Sequence, residues 1–172
     1  MAFCCRLPYI FSVLYRLYEA DDFPQLYALE EACFPASLRF PRRYMEQLLV
    51  NPASAAWIAE GHTAGASRQL TGFAIVDWVD SDGQIVAYIQ TLEVSPEHRR
   101  RGVGSELLRC IELSARAAGA GSIWLHVAEA NEAALRLYHA HGFIPQGREE
   151  DYYQRGGHAV VYARPIEFPV RS

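Results

Sequence analysis

The amino-acid sequence predicts an α/β domain organised around a mixed β-sheet. A long strand segment, residues 84–94, is followed by a glycine-bearing loop, a helix and another strand, and this order predicts a right-handed parallel crossover. The turn signal Ser81-Asp82-Gly83 before that segment predicts an antiparallel hairpin. A sheet with both kinds of neighbour is mixed. The length, 172 residues, is that of about one domain.

Capping and breaking residues predict the helices. Acidic cap residues precede Pro24, which suits a first helical turn, and Pro52 follows the end of a second helix. Leu107 and Ile111 belong to an apolar stripe at helical spacing in a third helix, and Gly142 is a typical cap after a fourth. The predicted helices cover residues 24–33, 41–50, 103–118 and 132–141.

Runs rich in β-branched and aromatic residues, bounded by turn residues, predict the strands. The predicted strands cover residues 15–19, 54–60, 69–79, 84–94, 122–127, 143–144 and 158–165. With no linker or repeat between them, these elements predict a single domain over residues 15–172. We expect residues 1–14 to form an N-terminal extension of unknown role.

Composition and charge exclude several classes of protein. A hydrophobic content of 51% and a charged content of 21% are those of a globular chain, not a disordered one. The net charge of −4 disfavours binding to nucleic acid or to an anionic membrane surface. No apolar run reaches the roughly 18 residues of a membrane span. We therefore expect neither nucleic acid nor membrane among the partners.

The four cysteines match neither a disulfide framework nor a zinc ribbon in their spacing. They are expected to be reduced thiols of a cytoplasmic protein. No cluster of His, Cys, Asp or Glu in the sequence has metal-ligand spacing, so no metal site is predicted.

A glycine loop leads from a predicted strand into a predicted helix. The loop, residues 99–105, reads Arg-Arg-Arg-Gly-Val-Gly-Ser. A helix start offers unpaired N–H groups and the positive end of a dipole, and Gly102 and Gly104 let a diphosphate approach the backbone. The loop matches neither the Walker loop nor the dinucleotide fingerprint. Two interpretations stay open: a diphosphate cradle, or a tight turn with solvated arginines.

A second motif follows over residues 131–143, Asn-Glu-Ala-Ala-Leu-Arg-Leu-Tyr-His-Ala-His-Gly-Phe. Asn131 stands at a strand-to-helix junction, and Tyr138 lies seven residues on, about two turns along the same helix face. Together the two segments resemble the GNAT superfamily of acyl-CoA N-acyltransferases. The loop resembles its Arg/Gln-x-x-Gly-x-Gly/Ala motif, and the second segment its Asn-x-x-Ala-x-x-x-Tyr-x-x-x-Gly-Phe motif. The resemblance extends from about Tyr15 to Pro165.

The resemblance implies the GNAT fold, a central mixed sheet with splayed parallel strands flanked by helices, and acetyl-CoA as co-substrate without a metal. A backbone N–H near residues 92–94 would polarise the thioester carbonyl. The residues that the resemblance implies for acetyl-CoA binding are Leu92, Glu93, Val94, Arg99, Arg100, Arg101, Gly102, Val103, Gly104, Ser105, Asn131 and Tyr138.

Within the superfamily the sequence is most similar to protein N-terminal acetyltransferases, including the bacterial RimI type and the eukaryotic catalytic subunits. Residues 30–35, Glu-Glu-Ala-Cys-Phe-Pro, resemble their first-helix ending, and residues 151–153 resemble the start of the hairpin that closes over the peptide. This resemblance implies substrate contacts from Phe34, Pro35, Ala36, Tyr152 and Tyr153. Consecutive strand tyrosines, however, point to opposite faces of a sheet.

The resemblance also implies catalytic roles. Tyr138 would give a proton to the leaving thiolate, or else be a packed helix aromatic. RimI-type enzymes commonly carry a glutamate five residues before the motif asparagine, where this sequence has His126. A histidine there, with Tyr88 on the preceding strand, resembles the NatE-type catalytic subunit instead. His126 and Tyr88 are thus expected to accept the amine proton through water; the alternative for His126 is a core strand residue.

Three functions are compatible with these residues. The favoured hypothesis is an acetyl-CoA-dependent N-acetyltransferase acting on the α-amine of a protein or peptide N-terminus. The alternatives are a GNAT acetyltransferase of a small amine or a lysine side chain, and a non-catalytic acyl-CoA-binding module. The oligomeric state is left open.

Overall fold

The computed structural model describes residues 12–62 and 68–168. They form a seven-stranded sheet in the order β1-β2-β3-β4-β5-β7-β6. The strands are β1 Ser12–Leu17, β2 Ser54–His62, β3 Gln69–Ser81, β4 Gln84–Val94, β5 Ser122–Ala128, β6 Ile144–Gln154 and β7 Gly157–Pro165. The helices are α1 Phe23–Cys33, α2 Arg42–Val50, α3 Val103–Ala117 and α4 Glu132–Ala140.

The pair β4–β5 is parallel and the other pairings in the sheet are antiparallel, which confirms the predicted mixed sheet. The parallel pairing ends at Ile89 and Leu125, although β4 continues to Val94 and β5 to Ala128. The two strands therefore splay apart at their carboxyl ends. A β-bulge accompanies the splay: Val76 pairs with Ile89 and its neighbour Ile75 with Thr91, so Gln90 is the extra residue. Such bulges bend a strand and increase its twist.

Helices cover both faces of the sheet. On one face α3 buries Leu107 and Ile111 against Ile123 and Leu125 of β5. On the other face α1 and α2 bury Leu26 and Met45 in a cluster with residues of β2 and β3. Burying one such side chain stabilises the fold by about 1.5–3 kcal/mol, so the two layers hold the splayed strands in place. In the described ranges, no helix is both long enough and apolar enough to cross a membrane.

Two predicted strands were wrong in extent. The strand predicted over 143–144 is β6, Ile144–Gln154, which is exposed along its whole length. Its polar sequence carries no alternation of apolar residues, and an exposed edge strand needs none. The strand predicted over 15–19 is β1, Ser12–Leu17, so residues 12–14 pair with β2 rather than preceding the fold. Residues 1–11 of the predicted extension lie outside the described residues.

Candidate active site

A cleft of about 670 Å³ lies between the end of β4, the start of α3 and the first turns of α4. Eleven of the twelve residues predicted to bind acetyl-CoA line it; the exception is Arg101, which is exposed. The cleft also takes in residues that the sequence did not single out for this role. These are Cys33, Phe34, His98, Ala133, Ala134, Arg136 and Leu137.

The loop at the mouth of the cleft is shaped by its two glycines. Gly102 caps α3 at φ 83°, a left-handed conformation that side chains disfavour. At Gly104 an added Cβ would lie 3.2 Å from Leu137 Cδ2, so this glycine lets α4 approach α3. The amino terminus of α3 thus faces the cleft with N–H groups that have no partner within the helix. That arrangement fits a diphosphate.

Asn131 holds the start of α4. Its side-chain Oδ1 accepts a hydrogen bond from Ala134 N at 3.1 Å, the geometry of a helix N-cap. Further along the same helix, Arg136 adds a cation to the cleft and pairs with Glu132 at 3.1 Å. The predicted acetyl-CoA residue Asn131 therefore also has a structural role.

The side chain of Glu93 is buried against α1. It is 3% exposed and lies against the 1% exposed Glu30 of α1, near enough to share a proton with it. Thr91 Oγ1 donates to Glu93 Oε1 at 2.9 Å, and Phe40 N donates to Glu30 Oε1 at 2.6 Å. Burial, and then the neighbouring Glu30, raise the pKa of Glu93. Glu93 can therefore serve acetyl-CoA through its backbone, while its carboxyl ties β4 to α1.

Tyr138 lies at the inner end of the cleft. Its ring is 6% exposed and packs edge-on against Phe143 at 5.5 Å. Burial raises the pKa of its hydroxyl, with a smaller contribution from Tyr153. The hydroxyl stays protonated at neutral pH and is available as a proton donor. The influence of Tyr153 also places that residue near Tyr138.

Tyr88 and His126 come together on the other side of the splay. Tyr88 Oη lies 2.8 Å from His126 Nδ1 and 3.2 Å from Tyr152 Oη. The rings of His126 and Tyr152 stack, with centroids 4.3 Å apart and planes 7° apart. Burial raises the pKa of Tyr88 well above its usual value. Tyr88 therefore keeps its proton and can donate it to Nδ1, the arrangement in which the ring proton of His126 lies on Nε2.

The sequence did not single out Glu149, which stands against the same histidine. Its Oε1 lies 3.0 Å from His126 Nε2, an ion-pair distance without the alignment of a hydrogen bond. Glu149 comes from β6, whose extent the sequence did not indicate. The contact depends on the register across β7, where Ala159 pairs with both Glu149 and Ala128.

The paired tyrosines of β6 lie on the same side, contrary to the alternation expected for a regular strand. The register between β6 and β7 shifts between Glu149 and Gln154, and Asp151 has a left-handed φ of 53°. Tyr152 stacks on His126, and Tyr153 meets Tyr152 edge-on at 4.8 Å. The irregularity brings both rings to the side of the splay where Tyr88 and His126 lie.

The three substrate-contact residues predicted at the end of α1 occupy different positions in the structure. Phe34 lines the cleft. Pro35 and Ala36 are exposed and belong to the following turn, where Leu38 N donates to Pro35 O at 2.9 Å. They flank the cleft without lining it. Within the part of the chain that the structure describes, no group of three or more His, Cys, Asp or Glu could hold a metal ion.

Comparisons with known proteins agree with this geometry. The model of the family described as "Acetyltransferase (GNAT) family" matches residues 23–143. The chain is 35% identical over 105 residues to a streptothricin acetyltransferase of Streptomyces lavendulae, covering 59% of this chain and 54% of that protein. It is 32% identical over 104 residues to the [ribosomal protein bS18]-alanine N-acetyltransferase of Salmonella typhimurium, covering 59% and 68%. The chain thus spans about half to two thirds of these relatives.

Solved structures share the fold. Arabidopsis thaliana NAA60 in complex with a bisubstrate analogue superimposes with a TM-score of 0.81 at 20% identity, covering 91% of this chain and all of that one. The similarity covers most of this chain, so the two proteins share the fold.

Proposed function

The chain belongs to the acetyltransferase (GNAT) family, and we propose that it transfers the acetyl group of acetyl-CoA to the α-amine of a peptide or protein N-terminus. The observation that carries this proposal is the hydrogen-bonded pair Tyr88–His126 across the splay from the cleft, 2.8 Å between Oη and Nδ1. Tyr153 connects the two sides, because it contacts Tyr152 and lies near Tyr138.

The chain's residues suit acetyl-CoA, which would supply an activated acetyl thioester. The amino terminus of α3 with Gly102 and Gly104 would hold the diphosphate, and Arg99 and Arg100 would add positive charge. The edge of β4 that the splay leaves unpaired with β5 presents backbone N–H groups for the thioester carbonyl. Tyr138 would protonate the departing thiolate.

We call the part of the site formed by Tyr88, His126, Tyr152 and Tyr153 the acceptor side. There the acceptor amine must lose a proton before it attacks the thioester. At pH 7 this costs about 1 kcal/mol for an α-amine and about 4–5 kcal/mol for a lysine side chain, given pKa values of about 8 and 10.4. The Tyr88 hydroxyl, hydrogen-bonded to a histidine, can receive that proton, directly or through water, while passing its own to Nδ1. An α-amine is thus the acceptor that this base serves best.

Transfer is proposed to be direct. Of the two described cysteines Cys33 lines the cleft, and burial, with a smaller effect of Glu93, raises the pKa of its thiol to about 11. At neutral pH it is a thiol and a weak nucleophile. No acyl-enzyme step is needed, because acetyl-CoA and acceptor can meet at the splay.

Two classes of acceptor are considered, a peptide and a small amine. The Salmonella relative is named for acetylating an alanine of a ribosomal protein, which favours a peptide. The streptothricin acetyltransferase is 35% identical, which favours a small amine. Tyr152 and Tyr153 over the acceptor side favour the peptide, since hydroxyls of paired tyrosines can contact its backbone. We disfavour the third hypothesis, a non-catalytic module, because Tyr88 and His126 form a hydrogen-bonded pair and Tyr138 lines the cleft.

We also propose a cytoplasmic protein without nucleic-acid or membrane partners. The net charge of −4 supports the absence of both partners. The free thiols of Cys33 and Cys110 support a reducing compartment.

Mass spectrometry of acetyl transfer tests the proposal. The substrate pool would contain peptides with a free α-amine, an internal lysine and varied first residues, together with streptothricin and polyamines. Acetylation confined to α-amines is the expected result and would also reveal the first-residue preference. Acetylation of small amines or lysine alone would replace the proposal by its second candidate. Acetyl-CoA binding without any product would favour the non-catalytic module.

A further inference from the structure

We propose that Glu149 is a positioning residue for the base: its carboxylate orients His126 and stabilises the imidazolium that forms when the amine proton is taken up. This inference rests on the proposed function, because it gives His126 the role of a base. It starts from the contact of 3.0 Å between Glu149 Oε1 and His126 Nε2.

The Glu149 carboxylate contacts the ring nitrogen of His126 that Tyr88 does not contact. Nδ1 is engaged by the Tyr88 hydroxyl at 2.8 Å, so Nε2 is the nitrogen that faces the carboxylate. His126 is 15% exposed at its side chain and is stacked under Tyr152, so few directions are left for solvent to reach it. A carboxylate 3.0 Å from the far nitrogen stabilises the imidazolium and so raises the basicity of the other nitrogen.

The charged residues next to Glu149 pair with one another. Arg148, next to it in β6, pairs with Glu129 at 2.7 Å and with Glu150 at 2.9 Å. Glu150 is 77% exposed, whereas Glu149 is 52% exposed and turned towards the ring. The strand therefore offers two adjacent carboxylates, of which one meets the base and the other meets an arginine.

The proton balance is simple. An acceptor amine gives up one proton to the Tyr88 oxygen as Tyr88 gives its own to His126 Nδ1. His126 then carries both ring protons and one positive charge, and Glu149 carries the matching negative charge. That proton leaves to water when the acetylated product departs. The amine nitrogen loses a second proton as the amide forms, and this proton replaces the one that Tyr138 gives to the thiolate; no electron is exchanged.

The groups that face this pair from the elements around it are few. Among the described residues they include Tyr88 from β4, Asp77 paired with Tyr88 from β3, Tyr44 from α2, and Glu149, Tyr152 and Tyr153 from β6. Of these, Glu149 is the one in ion-pair contact with His126. Removing its charge should make His126 a weaker base, by a modest amount because the carboxylate is half exposed.

The test compares Glu149→Gln with Glu150→Gln, a matched neutralisation one residue along β6. Glu149→Gln should move the acidic limb of the kcat/KM profile to lower pH and reduce the plateau about three- to tenfold, because a weaker base transfers protons less readily. Glu150→Gln should leave the limb in place. Glu149→Asp, which keeps the carboxylate, should recover part of the rate. An unmoved limb in Glu149→Gln, or an equal shift in both variants, would overturn the proposal.

A second readout does not require acetyl transfer. NMR titration of the His126 ring, assigned by the resonance missing in His126→Gln, should give a lower pKa in Glu149→Gln than in the wild type. An unchanged His126 pKa overturns the role of Glu149 whether or not the protein acetylates amines. A lowered pKa with no effect of His126→Gln on turnover keeps the contact but removes His126 as the base, so that the two failures are distinguishable.

Discussion

The cleft and the acceptor side of the candidate active site offer different kinds of chemical group. The cleft is lined mainly by two segments, 92–105 and 131–138, together with Cys33 and Phe34 at the end of α1. Within it, the amino terminus of α3 with Gly102 and Gly104 offers backbone N–H groups. The acceptor side consists of polar side chains from three strands, Tyr88, His126, Glu149 and Tyr152. In the proposed function the first half would bind through the positions of N–H groups, and the second would act through particular oxygen and nitrogen atoms.

This difference predicts how each half fails. A backbone site tolerates exchange of many side chains but is sensitive to any group that displaces a strand or fills a glycine position. A hydrogen-bonded side-chain cluster loses its function when a single atom is removed. Changes in the cleft should therefore act mainly on acetyl-CoA affinity, and changes on the acceptor side mainly on turnover.

The largest effect is expected at Tyr138, where the two halves meet. Tyr138→Phe removes the proton donor while keeping the buried ring against Phe143, so kcat should fall about 100-fold and acetyl-CoA affinity should stay nearly unchanged. Steady-state kinetics and calorimetry measure the two quantities. Tyr15→Phe, on β1 away from the cleft, is the control. Equal activities of the two variants would remove Tyr138 as the acid.

Gly72 tests the claim that the cleft depends on backbone position. An added Cβ there would lie 2.7 Å from Glu93 O, on the stretch of β4 proposed to hold the thioester. Gly72→Ala should destabilise the fold by about 1–3 kcal/mol and weaken acetyl-CoA binding. Gly147→Ala is the matched control, because an added Cβ there meets no atom within 4 Å. Thermal unfolding and calorimetry check the result; wild-type affinity in Gly72→Ala would contradict the claim.

The carboxyl pair beneath the cleft predicts a pH-dependent stability. Burial and Glu30 raise the pKa of Glu93, so the folded protein binds this proton more tightly than the unfolded chain does. The contribution is complete below the ordinary pKa of 4.5 and is lost as the pH rises above it, by at most about 1.4 kcal/mol per pH unit.

Glu93→Gln keeps a hydrogen-bond donor towards Glu30 without a titrating proton. Its free energy of unfolding should fall less steeply with pH than that of the wild type in urea titrations between pH 5 and 9. Glu97→Gln, at an exposed position after β4, should follow the wild-type curve. Parallel curves for all three proteins would show that the pair does not share a proton.

The smallest effect is expected at Tyr152. Tyr152→Phe removes a hydroxyl 3.2 Å from Tyr88 Oη but keeps the ring that stacks on His126. The loss of one hydrogen bond of about 1 kcal/mol should reduce turnover a few fold. Tyr152→Leu also removes the stack and should cost more. Equal turnover in these two variants would show that the ring has no part in holding His126.

The same contrast explains what the sequence could and could not reveal. The glycine loop and the helix from Asn131 to Tyr138 are local, so order and spacing were enough to predict the cleft. The turn at Ser81-Asp82-Gly83 and the crossover were sufficient for the mixed sheet. Arg101 does not line the cleft, and a run of three arginines does not indicate which side chains face inward, so its role stays a prediction.

The acceptor side depends on long-range register. Glu149 reaches His126 across β7, and the tyrosines share a side because Asp151 adopts a left-handed conformation. A polar edge strand carries no apolar alternation, so the extent of β6 could not be predicted. The inward turn of Glu93 depends on Glu30, a distant partner in another element.

The most direct measurement for the central claim is made on His126→Ala, with turnover and acetyl-CoA affinity determined on one preparation. The division of the site predicts that kcat for an α-amine acceptor falls about 100-fold or more, while the Kd for acetyl-CoA changes by less than about twofold. Unchanged turnover would contradict the account and return His126 to a packing role in the sheet.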